Sequence, residues 1–264
     1  MEWKIEDCAT SDSGCQRAAI LELELGSIAG IRISGYLTEQ VCAQIVKRYF
    51  QRASKTSYNQ SNVLTEFVGV PAILYSGRKE QYFTLATHWM SEKRKLFAAM
   101  GLADPASLVL QLFVAMFPDR SCLIPSEGER TYFNGIVRNI GRSPLHNDFA
   151  KRDFDGWRIS RIDQQLAWNI YLAVPGGDAG RTVIYKKSWT ELDEAHKRQN
   201  AMGYEYSVVE DAERTTFEPV VGDLLIFRTT NYHEVTQTAI DHLRISIGGF
   251  IGIDDRAREL LFWS

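Results

Sequence analysis

From about Tyr132 onward the chain breaks into short β-rich runs, and this rhythm constrains its fold more than any other feature. Residues 133–140, 165–174, 182–185, 206–209, 224–228, 233–237 and 243–251 are rich in branched and aromatic side chains. Turn signals such as Pro175-Gly176-Gly177, Val221-Gly222-Asp223 and Thr230-Asn231 separate them. Many short strands after a helical start predict a mainly β fold with flanking helices, a cupin-like double-stranded β-helix or jelly roll. The helical part is expected over residues 1–130. There Thr38 reads as an N-cap ahead of Val41, Ile45, Val46 and Tyr49 on one face. A second helix is expected over about 85–100 with Gly101 as its C-cap, and a third after Asp104-Pro105, apolar through Leu108, Leu112 and Met116. Residues 131–264 supply the β core. No repeat or linker divides the chain, so 1–264 is expected to be one domain.

Composition sets limits on partners. The 264 residues are 45% hydrophobic and 24% charged, enough for a sizeable core, and the net charge of −3 indicates no nucleic-acid surface. The start of the chain is too polar for a secretory signal, and no apolar run reaches membrane-spanning length. Cys8, Cys15, Cys42 and Cys122 lack paired zinc-site spacing, so reduced thiols in a cytoplasmic protein are expected. The oligomeric state is not legible.

One pattern within the β region carries chemistry. His146 and Asp148 stand two apart, which on a strand puts both on one face. His233 follows far downstream, after the Gly222-Asp223 turn and an apolar strand. Two histidines and a carboxylate on one face hold non-haem Fe(II) while leaving its other positions open. His242 competes as the distal ligand, but it lies two residues before Arg244 and would crowd metal against cation. His88 and His196 sit in charge-rich, helical surroundings and are expected to be structural or exposed. Arg244 and Ser246 share a face of the last long run. A barrel arginine is costly unless paired, and a dicarboxylate would pair it. Asn169 and Tyr171 share a face of their own strand and are further candidates for binding that acid.

These residues together resemble the Fe(II)/2-oxoglutarate-dependent dioxygenase superfamily, in its prolyl 4-hydroxylase-like branch. The resemblance covers roughly residues 134–264 and rests on Leu145-His146-Asn147-Asp148, Asn169-Ile170-Tyr171-Leu172, Gly222-Asp223 before His233, and Arg244-Ile245-Ser246. It implies that His146, Asp148 and His233 bind iron, that Arg244 and Ser246 hold the distal carboxylate of 2-oxoglutarate, and that Tyr171 assists. It also implies dioxygen as oxidant, with succinate formed as an unactivated C–H bond of a small molecule is hydroxylated. An amino acid, a nucleotide or a natural-product intermediate would fit. The chain is similar as well to free-standing biosynthetic hydroxylases and aliphatic halogenases. The halogenases carry a small residue where this chain has Asp148, which favours hydroxylation.

The segment after the metal motif is the expected substrate-facing loop. Phe149 and Trp157 are candidate pocket walls, while Arg158 and, from an earlier strand, Arg138 are candidate partners for a substrate carboxylate. Two other readings compete. A cupin-type metalloenzyme without 2-oxoglutarate would not need Arg244, and a non-catalytic jelly-roll module would need none of the ligands.

Overall fold

The computed structural model describes residues 2–51, 55–60, 63–177, 179–238 and 243–264; of residues 57–60, 63 and 64 only the backbone is described. His242 lies outside the described residues. A large mixed sheet runs in the order Ile5–Cys8, Gly30–Ile33, Leu224–Arg228, Gln164–Ala173, Ile245–Asp254, Ile136–Ile140, Val63–Val68 and Thr56–Gln60. Glu259–Trp263 also pairs with Ile245–Asp254 and carries Ser121–Leu123 on its far side. A second, antiparallel sheet is ordered Arg214–Phe217, Thr182–Ser188, Asn231–Val235, Ser143–His146. The two sheets make a double-stranded β-helix, as the strand rhythm predicts.

Alternation along Gln164–Ala173 shows how the layers are sorted. Leu166, Trp168, Ile170 and Leu172 are buried in a core shared with Ile20, Leu23, Ile45, Val109 and Phe113 of the helices. Each such side chain contributes about 1.5–3 kcal/mol of burial. Ala167 and Tyr171 face the other way, packing with Leu225, Phe227, Ile184 and Phe217 between the sheets. The polar positions therefore meet inside the β-helix while helices seal the outer face.

The helix signals act where the sequence puts them. Thr38 caps Glu39–Ile45 by accepting from the Val41 N–H, and Asp104 caps Pro105–Met116. Gly101 ends Lys79–Met100 in the left-handed conformation, although that helix begins earlier than the expected residue 85.

Several expectations need correction. Tyr206–Val209 is a 3-10 turn, not a strand; the Val208 N–H bonds Glu205 locally, so no ladder is needed. The region before residue 131 is less purely helical than expected, because Ile5–Cys8 and Gly30–Ile33 extend the large sheet and Val63–Val68 pairs with Ile136–Ile140. Cys8 and Cys15 form a disulfide rather than two reduced thiols; Cys42 and Cys122 are free. The Gly222-Asp223 turn ties the two regions together. Gly222 has φ of 87°, and a Cβ there would meet the Leu37 carbonyl at 2.1 Å. Asp223, buried, accepts from Arg32 Nε at 2.6 Å and from the Gly35 N–H at 2.8 Å.

Candidate active site

His146 ends the strand Ser143–His146, and His233 lies opposite it on Asn231–Val235. Asp148 is not on that strand, contrary to the same-face reading, because the chain leaves the sheet after His146. Its position is fixed by Thr229 instead. The Asp148 N–H donates to the Thr229 carbonyl at 2.9 Å, and the Thr229 hydroxyl donates to the Asp148 carbonyl at 2.9 Å. Asp148 Oδ2 is thereby held 3.8 Å from His146 Nε2 and 3.6 Å from His233 Nε2, and one ligand atom from each residue lies within 4.8 Å of the others.

Two backbone carbonyls prepare the imidazoles. His146 Nδ1 is 2.7 Å from the Pro144 carbonyl and His233 Nδ1 is 3.0 Å from that of Asn231. A carbonyl only accepts, so each Nδ1 carries the proton and each Nε2 presents its lone pair to the shared point. Burial, reinforced by His233 nearby, pushes the His146 pKa down to about 4, keeping that ring neutral and ligand-ready. Burial pushes Asp148 up, but the neighbouring imidazoles of His233 and His146 and the charge of Arg138 outweigh it. The carboxyl therefore stays below the usual carboxylate range, although its side chain is 33% exposed.

Arg244 stands just ahead of Ile245–Asp254 and is 4% exposed. It donates from Nε to the Gly180 carbonyl at 2.7 Å and from Nη2 to Thr182 Oγ1 at 3.0 Å and Tyr171 Oη at 3.4 Å. Its guanidinium also lies 5.1 Å from the Tyr171 ring centre. No carboxylate pairs with it among the described residues, and burial lowers its pKa. An unneutralised buried charge costs several kcal/mol, which suits a place built for an anion. A cavity of about 80 Å³ runs from Arg244, Thr182 and Tyr171 past Asn169 to the three metal-ligand candidates. Ser246 shares the sheet face, buried with Tyr171 and Arg138 as cross-strand neighbours, but does not line the cavity.

A second cavity of about 180 Å³ meets the first at His146, Asp148 and Arg138. Phe149 and Phe154 form part of its wall, with Phe250 and Trp263. Trp157 and Arg158 are elsewhere. Trp157 is buried in an aromatic cluster with Tyr82, Phe83, Tyr132 and Phe154, and Arg158 pairs with Glu259 at 2.9 Å. Sequence reasoning missed Thr182, Gly180 and Thr229; Arg152, expected with its loop neighbours to meet an anionic substrate, instead binds the Asn147 side chain between the two ligands and pairs with Asp153. A threonine at a strand start or a glycine in a turn carries no signal of its own.

The donor set fits Fe(II): two imidazole nitrogens and one carboxylate oxygen lie within reach of one point. The buried Arg244, without an acidic partner among the described residues, fits the distal carboxylate of 2-oxoglutarate at the far end of the same cavity.

The chain matches the family described as carrier-protein-independent halogenase WelO5 over residues 7–264. It belongs to that family, within the Fe(II)/2-oxoglutarate-dependent oxygenases, and is an enzyme that uses Fe(II), 2-oxoglutarate and dioxygen. A relative from Purpureocillium lilacinum, leucinostatins biosynthesis cluster protein S, is 28% identical over 193 residues, covering 70% of this chain and 78% of the relative. Among solved structures, an N-substituted L-amino acid dioxygenase from Burkholderia ambifaria superposes with a TM-score of 0.63 at 15% identity, covering 94% and 91% of the two chains. HygX from Streptomyces hygroscopicus, solved with nickel and 2-oxoglutarate, gives 0.51 at 14% identity over 90% and 86%. At these identities the structures speak for the fold.

Proposed function

We propose that this enzyme hydroxylates an unactivated C–H bond of a free small molecule and does not halogenate. The observation that carries this is Asp148: its carboxylate converges with both imidazoles, occupying the position that a halide would need. The family's description names halogenation, so the carboxylate is the feature that separates the two chemistries. His146, Asp148 and His233 would hold the metal, while Arg244, Thr182 and Tyr171 would hold the oxo acid. When bound, Fe(II) and 2-oxoglutarate supply the oxidising power, dioxygen being reduced as the oxo acid is decarboxylated to succinate. The chain's own residues do the rest. Nδ1 hydrogen bonds fix both imidazoles, Arg244 orients the cosubstrate, and the apolar wall of Phe149, Phe154 and Phe250 keeps water from the reacting carbon.

Chloride tests the reading. Fe(II) and 2-oxoglutarate binding by the native enzyme is expected to be indifferent to chloride. Asp148→Gly should bind Fe(II) more weakly by at least the roughly 10–100-fold that losing an outer-shell partner of a ligand costs, and should acquire a chloride dependence. Chloride-dependent binding or a chlorinated product with the native enzyme would overturn the assignment.

A further inference from the structure

The second cavity contains one cationic side chain left unpaired among the described residues. Arg138 lines it from the strand Ile136–Ile140, between Ser246 and Phe67 on the neighbouring strands. Among the described residues its guanidinium has no ion pair and no hydrogen bond. Of the other polar groups there, Asp153 pairs with Arg152 at 2.6 Å, Gln165 Oε1 accepts from the Ala150 N–H at 2.7 Å, Ser264 Oγ donates to the Gly248 carbonyl at 3.2 Å, and Ser143 Oγ lies 3.4 Å from His146 Nδ1. Asp148 feels the charge of Arg138 but lies beyond ion-pair distance, and as a metal ligand its own charge is taken up by the ion. The remaining wall, including Pro71, Leu74, Phe149 and Phe250, is apolar.

We propose that Arg138 is a specificity-determining residue that binds the carboxylate of an otherwise apolar substrate. This rests on the oxygenase reading above. A single guanidinium offers a bidentate fork that matches one carboxylate. A doubly charged phosphate would meet this one cation together with the carboxylates of Asp148 and Asp153 on the same wall. The cavity thus selects a hydrophobic acid, anchored at its carboxylate beside the metal-ligand face. Of the candidate substrate classes, an amino acid or a carboxylated natural-product intermediate fits and a nucleotide does not.

Arg138 borders both cavities, so the test must separate substrate from cosubstrate. Enzyme loaded anaerobically with Fe(II) and 2-oxoglutarate would be titrated calorimetrically with phenyl-substituted alkanoates, from phenylacetate to 6-phenylhexanoate, and with the amide of each. The native enzyme should bind the best acid on the order of tenfold more tightly than its amide. Arg138→Gln should erase that preference, Arg138→Lys should keep part of it, and 2-oxoglutarate affinity should stay within about twofold in both. Equal binding of acid and amide, or no binding across the whole panel, would overturn the proposal. So would Arg138→Gln weakening 2-oxoglutarate instead, which would assign the residue to the cosubstrate. If native enzyme failed to bind 2-oxoglutarate at all, the oxygenase reading itself would fall, a distinct result seen in the first titration.

Discussion

Arg244 carries a positive charge in a place where burial alone drives its pKa down, and its protein partners are a carbonyl and two hydroxyls. Neutral acceptors orient a guanidinium without cancelling its charge, so binding a dicarboxylate relieves a cost already present in the fold. Arg244→Leu should therefore raise the 2-oxoglutarate requirement by about 2–5 kcal/mol, roughly 30-fold or more, and leave the substrate requirement nearly unchanged. Steady-state kinetics with each varied in turn checks this; an unchanged 2-oxoglutarate requirement would assign the distal carboxylate to another cation. At this scale the sequence was informative where chemistry demands rare residue types at set positions, as with His146, Asp148, His233 and Arg244. It was silent where backbone does the work. The carbonyls of Pro144 and Asn231 fix the imidazoles, and the Gly180 carbonyl fixes Arg244, yet a carbonyl has no residue signature.

The elements hold the site by a few junctions. Asp104 caps one helix and pairs with the nearly buried Lys93 of another at 2.7 Å, while Lys93 also donates to the Asn134 carbonyl. Asp104→Ala would remove a cap and leave a buried ammonium without its counter-charge. A loss of about 3–5 kcal/mol in urea unfolding is expected, and a loss below about 1 kcal/mol, the value of a cap alone, would show that Lys93 finds another partner. Strands were legible where alternation lasted, as in Gln164–Ala173, whose two faces separate as predicted. Four-residue strands such as Gly30–Ile33 were not, because so short a run holds too few alternations to stand out. Tyr206–Val209 misled for the same reason: branched and aromatic residues also suit a 3-10 turn whose hydrogen bonds close locally.

Across the molecule, the β-helix brings together groups that lie far apart in the chain. His146 and His233 become cross-strand neighbours, and Tyr171, Ser246 and Arg138 form one row across three strands. The carboxy-terminal half could be anticipated because its motifs mark the strand ends that converge. The wall of the second cavity could not, since Pro71 and Leu74 arrive from a short turn with no motif and Trp263 from the last strand. The central claim is that one cavity binds metal at His146, Asp148 and His233 and a dicarboxylate at Arg244. Anaerobic titration with Fe(II) and then 2-oxoglutarate, followed by visible absorption, tests it most directly. A metal-to-oxo-acid charge-transfer band should develop with the native enzyme and be lost in His233→Ala. Iron binding without that band, or a band that survives the substitution, would contradict the account.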